Sequence, residues 1–125
     1  MIILYSLFGP FLIWPLEYFL PYPAIIEELF KALVVKLNPE ADYKSVALGG
    51  VLFAATETVL YSINAGATGG LGYLAIRFLL TSLLHSLTFV LIYYFSKKTK
   101  FGIYAGFLIT VVIHFSYNLF FRSVL

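Results

Sequence analysis

The residues best suited to chemistry are carboxylates, histidines and a lysine that interrupt long apolar runs. They are Glu27, Glu28, Lys31, Glu57, His85 and His114. A carboxylate held in an apolar pocket suits a general base, which removes a proton from water or from a substrate. Such side chains are costly in a chain that faces lipid, so a group of them indicates a functional site.

The first three of these residues belong to one predicted helix that opens at Pro23. Proline suits the first helical turn, because its φ is fixed and its missing N–H would have no partner there. Glu27 and Lys31 are four residues apart and share a face, whereas Glu28 points about 100° away. One acid can therefore pair with Lys31, and the spacing favours Glu27, while the other acid faces another group.

Composition decides the environment in which these residues act. The chain has 125 residues, of which 62% are hydrophobic and only 11% are charged, whereas soluble domains carry about 25% charged residues. We therefore expect an all-α polytopic membrane protein, a single domain over 1–125. At about 20 residues per span, four to five helices fill this length. The absence of cysteine excludes disulfides and thiolate metal sites, and a net charge of +2 does not suggest nucleic acid.

Apolar runs bounded by turn residues predict four membrane-spanning helices and one shorter helix between the first two. The spans are expected at 2–20, 45–63, 73–95 and 102–121, with a shorter helix at 24–37. Residues 1–20 lack a basic leading region and a small-residue cleavage site, so we expect a retained helix. Pro10 and Pro15 predict kinks or a break in it, and Glu17 is expected at the membrane surface in contact with water.

Polar residues at helical spacing form one stripe on each of three spans. The stripes are Phe53, Glu57 and Tyr61; Thr81 and His85, extended by Arg77; and Thr110, His114, Asn118 and Arg122. Counting 1.5 Å of rise per residue puts Glu28, Glu57, His85 and His114 within a slab of about 10 Å. We expect these faces to point inward, since lipid offers them no partner. Arg77 is expected to extend to the membrane surface instead.

The motifs resemble those of a known family. The run from Glu27 to Lys31 resembles the EExxK motif of PrsW-type intramembrane proteases, relatives of the CAAX prenyl protease and bacteriocin-processing family. Phe53 to Glu57 resembles the second motif, FxxxE. His85, and then His114 with Asn118 as HxxxN, resemble the third and fourth motifs, in the same order along the chain.

This resemblance implies an intramembrane endopeptidase that hydrolyses a membrane-associated protein or peptide. It implies that Glu27 activates water with help from Glu28, and that His114 and Asn118 stabilise the oxyanion. Glu57 and His85 complete the implied catalytic set, and Lys31 supports it. Whether the site binds a metal stays open. His85, His114 and Glu57 are a plausible set of zinc ligands. CAAX-type relatives have been argued to act without metal, and we favour a site with no tightly bound metal.

The resemblance further implies a membrane-embedded protein or peptide as substrate, the lipid bilayer as environment and a prokaryotic cell membrane as location. A homo-oligomer stays open. Members of the superfamily usually carry additional helices, so a non-catalytic binding or immunity protein on the same fold is one alternative. The other is a subunit of a proton- or ion-coupled transporter, because carboxylates and histidines at mid-membrane also form relays.

Lysines predict the orientation of the chain. Loop 96–101 carries Lys97, Lys98 and Lys100, whereas residues 64–72 carry no charge. By the positive-inside rule, loop 96–101 is cytoplasmic and the C-terminal end of the last span is not. Cysteines introduced at Ser96 and Ser123 should then be labelled by a membrane-impermeant reagent from opposite sides. Labelling of Ser96→Cys only from outside would contradict this orientation.

Overall fold

A computed structural model describes residues 1–64 and 70–124, with side chains as far as residue 121. These residues form five helices and no strand: α1 (Ile2–Phe19), α2 (Pro23–Leu37), α3 (Tyr43–Asn64), α4 (Gly70–Lys98) and α5 (Gly102–Val124). Four of them, all except α2, are long and apolar enough to cross a membrane. The predicted all-α bundle of four to five helices is confirmed. The predicted turn at 64–72 lies largely outside the described residues.

Side chains close both ends of the loop between α2 and α3. The Asn38 amide donates to the Val34 carbonyl at 2.8 Å, which ends α2. At the start of α3, the Asp42 carboxylate accepts a hydrogen bond from the Ser45 N–H at 2.7 Å, the pattern of a helix N-cap. The same bond lowers the pKa of Asp42 below its usual value. Pro23 is in the first turn of α2, as expected.

Helix α1 runs through both of its prolines, so the predicted break is not observed. A proline removes one backbone hydrogen bond and crowds the preceding turn, and a neighbouring hydroxyl can satisfy a carbonyl freed in this way. Thr56 of α3 contacts the turn before Pro10, where its Oγ1 donates to the Leu7 carbonyl at 2.7 Å. This carbonyl is next to that of Ser6, which Pro10 leaves without its helical donor, so α3 packs closely on α1 at the proline.

The four long helices pack in the order α1, α3, α4, α5, with no contact between α1 and α5 among the described residues. The short helix α2 joins the two ends of this row, since it contacts α1, α4 and α5. An apolar core lies near the loops that join α2 to α3 and α4 to α5; it contains Val34, Val35, Val46, Phe89 and Ile92. Polar residues share the rest of the interior with apolar ones such as Phe53 and Leu84, while large apolar side chains such as Leu83 and Leu108 are exposed on the outside. This distribution suits a bundle surrounded by lipid.

Gly50 allows α3 and α4 to approach each other closely. A Cβ atom at this position would lie 2.4 Å from the Ser86 Cα and N atoms. Backbone atoms cannot move aside as the end of a side chain can, so any larger residue would push the helices apart. The displacement would also disturb His85, which is adjacent to Ser86 in α4.

We therefore expect Gly50→Val to lower the stability of the purified protein by about 3 kcal/mol, the upper part of the usual range for overpacking. Gly72→Val is the matched control, because nothing lies within 4 Å of a Cβ added at Gly72. Thermal unfolding in detergent measures both. Equal midpoints for the two variants would show that α3 and α4 are not in close contact at Gly50.

Candidate active site

Lys31 lies at the centre of a buried cluster of ionisable groups formed by α2, α3, α4 and α5. Its side chain is completely buried. Its Nζ donates to Glu28 Oε1 at 2.7 Å and to Thr88 Oγ1 at 2.8 Å, and it lies 2.8 Å from His85 Nδ1. An ammonium group has three protons and no acceptor, so these three contacts use all of its hydrogen-bonding capacity.

The contact with Lys31 fixes the hydrogen position on His85. Because the ammonium can only donate, His85 Nδ1 must accept, and a neutral imidazole then carries its hydrogen on Nε2. This Nε2–H donates to Glu57 Oε2 at 2.6 Å. The other oxygen of Glu57, Oε1, accepts from Arg77 Nη2 at 3.2 Å. Lys31, His85, Glu57 and Arg77 thus form one continuous line of hydrogen bonds.

Glu28 fixes the opposite arrangement on His114. The Glu28 side chain is completely buried, and its Oε1 accepts from both Lys31 and His114 Nδ1, each at 2.7 Å. A carboxylate only accepts, so His114 carries a hydrogen on Nδ1. In the neutral imidazole, His114 Nε2 therefore has a free lone pair.

Glu27 contacts this arrangement without being bound into it. Its Oε2 lies 3.7 Å from His114 Nε2 and 3.9 Å from His85 Nε2, and it has no hydrogen-bond partner among the described residues. The side chain is only 6% exposed. Buried carboxylate oxygens normally have a partner, so this oxygen is placed to bind something that enters from outside the protein.

The expected pair of Glu27 with Lys31 is wrong, because Lys31 pairs with Glu28. Residues three and four apart are both neighbours on a helix, so spacing alone does not choose between the two acids. The choice is made by α4, whose His85 and Thr88 hold the Lys31 ammonium on the side that Glu28 faces. Glu27 is left free as a result.

A cavity of about 350 Å³ opens beside the cluster. It brings together four of the residues that the sequence singled out: Glu57, His85, His114 and Asn118. Arg77 lines it too, and the expectation that Arg77 extends to the membrane surface is wrong. Its guanidinium pairs with Glu57 and lies 4.0 Å from the centre of the Tyr61 ring.

A smaller cavity of about 140 Å³ lies next to the first and adds one further acid. Glu17 of α1 lines it together with Glu27, Glu57 and Arg77. Glu17 is half-buried near the end of α1, and its buried Oε1 has no partner among the described residues; its expected place at the membrane surface stays a prediction. Pro10 and Trp14, which also line this cavity, share a helical face with Glu17, and that spacing could have revealed the site.

The cluster does not fit zinc in the form observed. Glu27, His85 and His114 each offer one ligand atom, and these atoms lie within 4.8 Å of one another. Glu57, a ligand candidate from the sequence, instead accepts the hydrogen of His85 Nε2. A metal ligand must offer a lone pair, but the lone pair of His85 points to Lys31 from Nδ1. His85 therefore cannot act as a ligand through Nε2 while Lys31 is bound to it.

Comparison of the chain with protein-family models, curated proteins and solved structures gave no match. The resemblance to PrsW-type proteases therefore stays a prediction from the four motifs. The polar residues of these motifs lie together in the structure. Their order along the chain did not require this, because Glu27 and His114 are separated by most of the sequence.

Replacing Lys31 with methionine should destabilise the protein by about 3–5 kcal/mol, because Glu28 would remain as a buried charge without its ammonium partner. Adding Glu28→Gln to Lys31→Met should recover part of this loss, since a neutral amide is cheaper to bury. Lys44→Met, at an exposed position, is the control for loss of a lysine. Thermal unfolding in detergent gives the comparison, and equal midpoints for Lys31→Met and Lys44→Met would contradict the central role of Lys31.

Proposed function

We propose that the chain is an intramembrane endopeptidase in which Glu27 takes a proton from the water that attacks the substrate. The observation that carries this proposal is the unpartnered Oε2 of Glu27, which lies between two oriented imidazoles. The other two acids of the cluster accept hydrogen bonds from charged or imidazole groups: Glu28 from Lys31 and His114, and Glu57 from His85 and Arg77. Glu28 Oε2 is also buried without a partner among the described residues, but only Glu27 has no ion pair with a lysine or arginine there.

The distances suit one bound water. Glu27 Oε2 and His114 Nε2 are 3.7 Å apart, so a water beside them can lie within about 2.8 Å of each atom. Both atoms are acceptors in this arrangement. The water would donate its two hydrogens to them and direct a lone pair toward the large cavity.

The reaction then follows from these positions. Glu27 accepts a proton as the water oxygen bonds to the scissile carbonyl carbon, and the carbonyl π electrons move to its oxygen. The Asn118 amide can donate to this oxyanion from the cavity wall. When the tetrahedral intermediate collapses, the C–N bond breaks and the proton on Glu27 passes to the leaving amine.

The smaller cavity supports a supply of water to Glu27. Glu17 Oε1 and Arg77 Nε are buried and have no partner among the described residues, and such groups are usually satisfied by ordered water. A volume of about 140 Å³ is enough for several water molecules at roughly 30 Å³ each. Glu27 and Glu57 line this cavity, so its water reaches the proposed base.

An apolar groove supports a membrane-embedded segment as the substrate. It has a volume of about 470 Å³ and lies between the start of α2 and the middle of α5, with Val112, Phe115 and Leu119 on its wall. Asn118 lines both this groove and the large cavity. We therefore propose a membrane-associated protein or peptide with apolar residues beside the scissile bond. The resemblance to PrsW-type proteases implies that this substrate is similar to an anti-sigma factor in a prokaryotic cell membrane.

The decisive variant is Glu27→Gln, which keeps the size of the side chain but removes the base. We expect cleavage of a membrane-embedded reporter by the purified protein to fall by a factor of about 10² or more. Glu40→Gln is the matched control, because Glu40 is exposed in the loop after α2, and it should cleave as the parent does. Undiminished cleavage by Glu27→Gln would remove Glu27 from the mechanism.

Chelator provides a second arm of this experiment. We expect the parent to cleave equally well with and without chelator, because His85 Nε2 carries a hydrogen and is bound to Glu57. Loss of cleavage in chelator, with recovery in zinc, would instead assign His85 and His114 as ligands. That outcome would require Lys31 to release His85.

A proton-coupled transporter subunit is the second candidate, favoured by the series of carboxylates around the smaller cavity, Glu17, Glu27 and Glu57. Such a series can pass protons. The parent protein would then show no peptide cleavage, and proton flux into vesicles would depend on Glu27. A binding or immunity protein on the same fold would show neither cleavage nor proton flux.

A further inference from the structure

A second groove lies at the end of the bundle opposite the start of α2. Its walls are the C-terminal half of α2, the last turn of α4 and the first turns of α5, and its volume is about 660 Å³. Leu29 and Leu33 line one side and Ile103 and Phe107 the other. Leu29 and Leu33 are 58% and 51% exposed, so this apolar surface is open to whatever surrounds the bundle.

Two lysines line the mouth of the groove. Lys36 lies in the last turn of α2 and Lys100 precedes α5, and both are exposed. Neither forms an ion pair within the described part of the chain. The Lys100 ammonium lies 5.9 Å from the centre of the Phe101 ring, and that of Lys98 lies 4.9 Å from the centre of the Tyr94 ring. Lys97 donates to the Pro39 carbonyl.

The groove therefore has charge at one end and apolar walls along its length. Leu29 and Lys36 are seven residues apart on α2, which corresponds to about 10 Å along the helix. This arrangement matches a molecule with an anionic head and a hydrocarbon tail. Zwitterionic lipids match it less well, because their own ammonium group would lie close to the two lysines.

We propose that this groove binds one anionic phospholipid, with its phosphate between Lys36 and Lys100 and one acyl chain along Leu29 and Leu33. The site is independent of the proposed peptidase activity and lies at the end of the bundle that carries most of its lysines. Juxtamembrane lysines commonly attract anionic lipids, and basic pockets between helices bind their head groups. Here the bound lipid would join α2 to α5, whose residues form the two walls.

The test titrates the purified full-length chain in detergent with dioleoylphosphatidylglycerol or dioleoylphosphatidylcholine. Native mass spectrometry counts bound lipid, and thermal unfolding reports stabilisation by a ligand of the folded state. We expect phosphatidylglycerol to bind more tightly and to raise the unfolding midpoint. Lys36→Gln and Lys100→Gln should each weaken its binding about fivefold, and together by roughly 30-fold.

Two control variants distinguish binding in the groove from general electrostatic attraction to the lysines at this end of the bundle. Lys98→Gln makes the same charge change at the same end but outside the groove, and it should leave binding nearly unchanged. Leu33→Trp should fill the groove and weaken binding although both lysines remain. Inorganic phosphate, which lacks a tail, should not stabilise the protein.

Three results would overturn the proposal. Equal binding of the two lipids would remove the role of head-group charge. An equal loss in Lys98→Gln and in the double variant would reduce the effect to overall charge. Stabilisation by inorganic phosphate that is unaffected by Leu33→Trp would point to a soluble anion instead of a lipid.

Discussion

The architecture depends on the burial of one ammonium group. Transferring an isolated ion into a protein interior costs several kcal/mol, and this is offset only if the ion finds good partners for its protons. Lys31 has three such partners, of which Glu28 lies on its own helix and His85 and Thr88 lie on α4. Helix α2 cannot turn or slide relative to α4 without leaving a buried charge unpaired. This interaction therefore sets both the rotation and the depth of the helix that carries the proposed base.

The same ammonium group determines the hydrogen positions of both histidines. Through direct contact it requires His85 to carry its hydrogen on Nε2, and through Glu28 it favours a hydrogen on Nδ1 of His114. The His85 Nε2–H, a donor, and His114 Nε2, an acceptor, therefore both lie beside Glu27. The cluster contains three acids, Glu27, Glu28 and Glu57, and two cations, Lys31 and Arg77. Within the described residues, Glu27 is the acid that forms no ion pair with either cation.

Much of the fold was predictable because each span is a long apolar run bounded by turn residues. Pro23, the Asn38-Pro39 turn and the lysines of loop 96–101 mark helix ends that the structure reproduces within a few residues. Helical spacing also placed Glu57, His85 and His114 on faces that turn inward. These features depend on local sequence, for which periodicity is a direct signal.

The remaining errors concern contacts between helices. Spacing allows Lys31 to reach either acid, and only the position of α4 decides between them. Arg77 seemed close to a helix end because α4 was expected to begin at residue 73, but the helix begins at Gly70, so Arg77 lies two turns inside. The grouping of Glu17 with Glu27 and Glu57 was missed because these acids belong to three different helices. Contacts of this kind depend on residues of other helices, and the spacing of residues along one helix carries no information about them.

The length of α2 has a consequence for the surrounding bilayer. Its 15 residues extend about 22 Å, whereas a typical hydrocarbon core is about 30 Å thick. A segment shorter than the core can be accommodated by local thinning of the bilayer. Thinning beside α2 would bring the polar surface of the membrane closer to Glu27 than it would be beside a full-length span. A helix too short to cross the bilayer would in this way give water and charged lipid head groups access toward the middle of the protein.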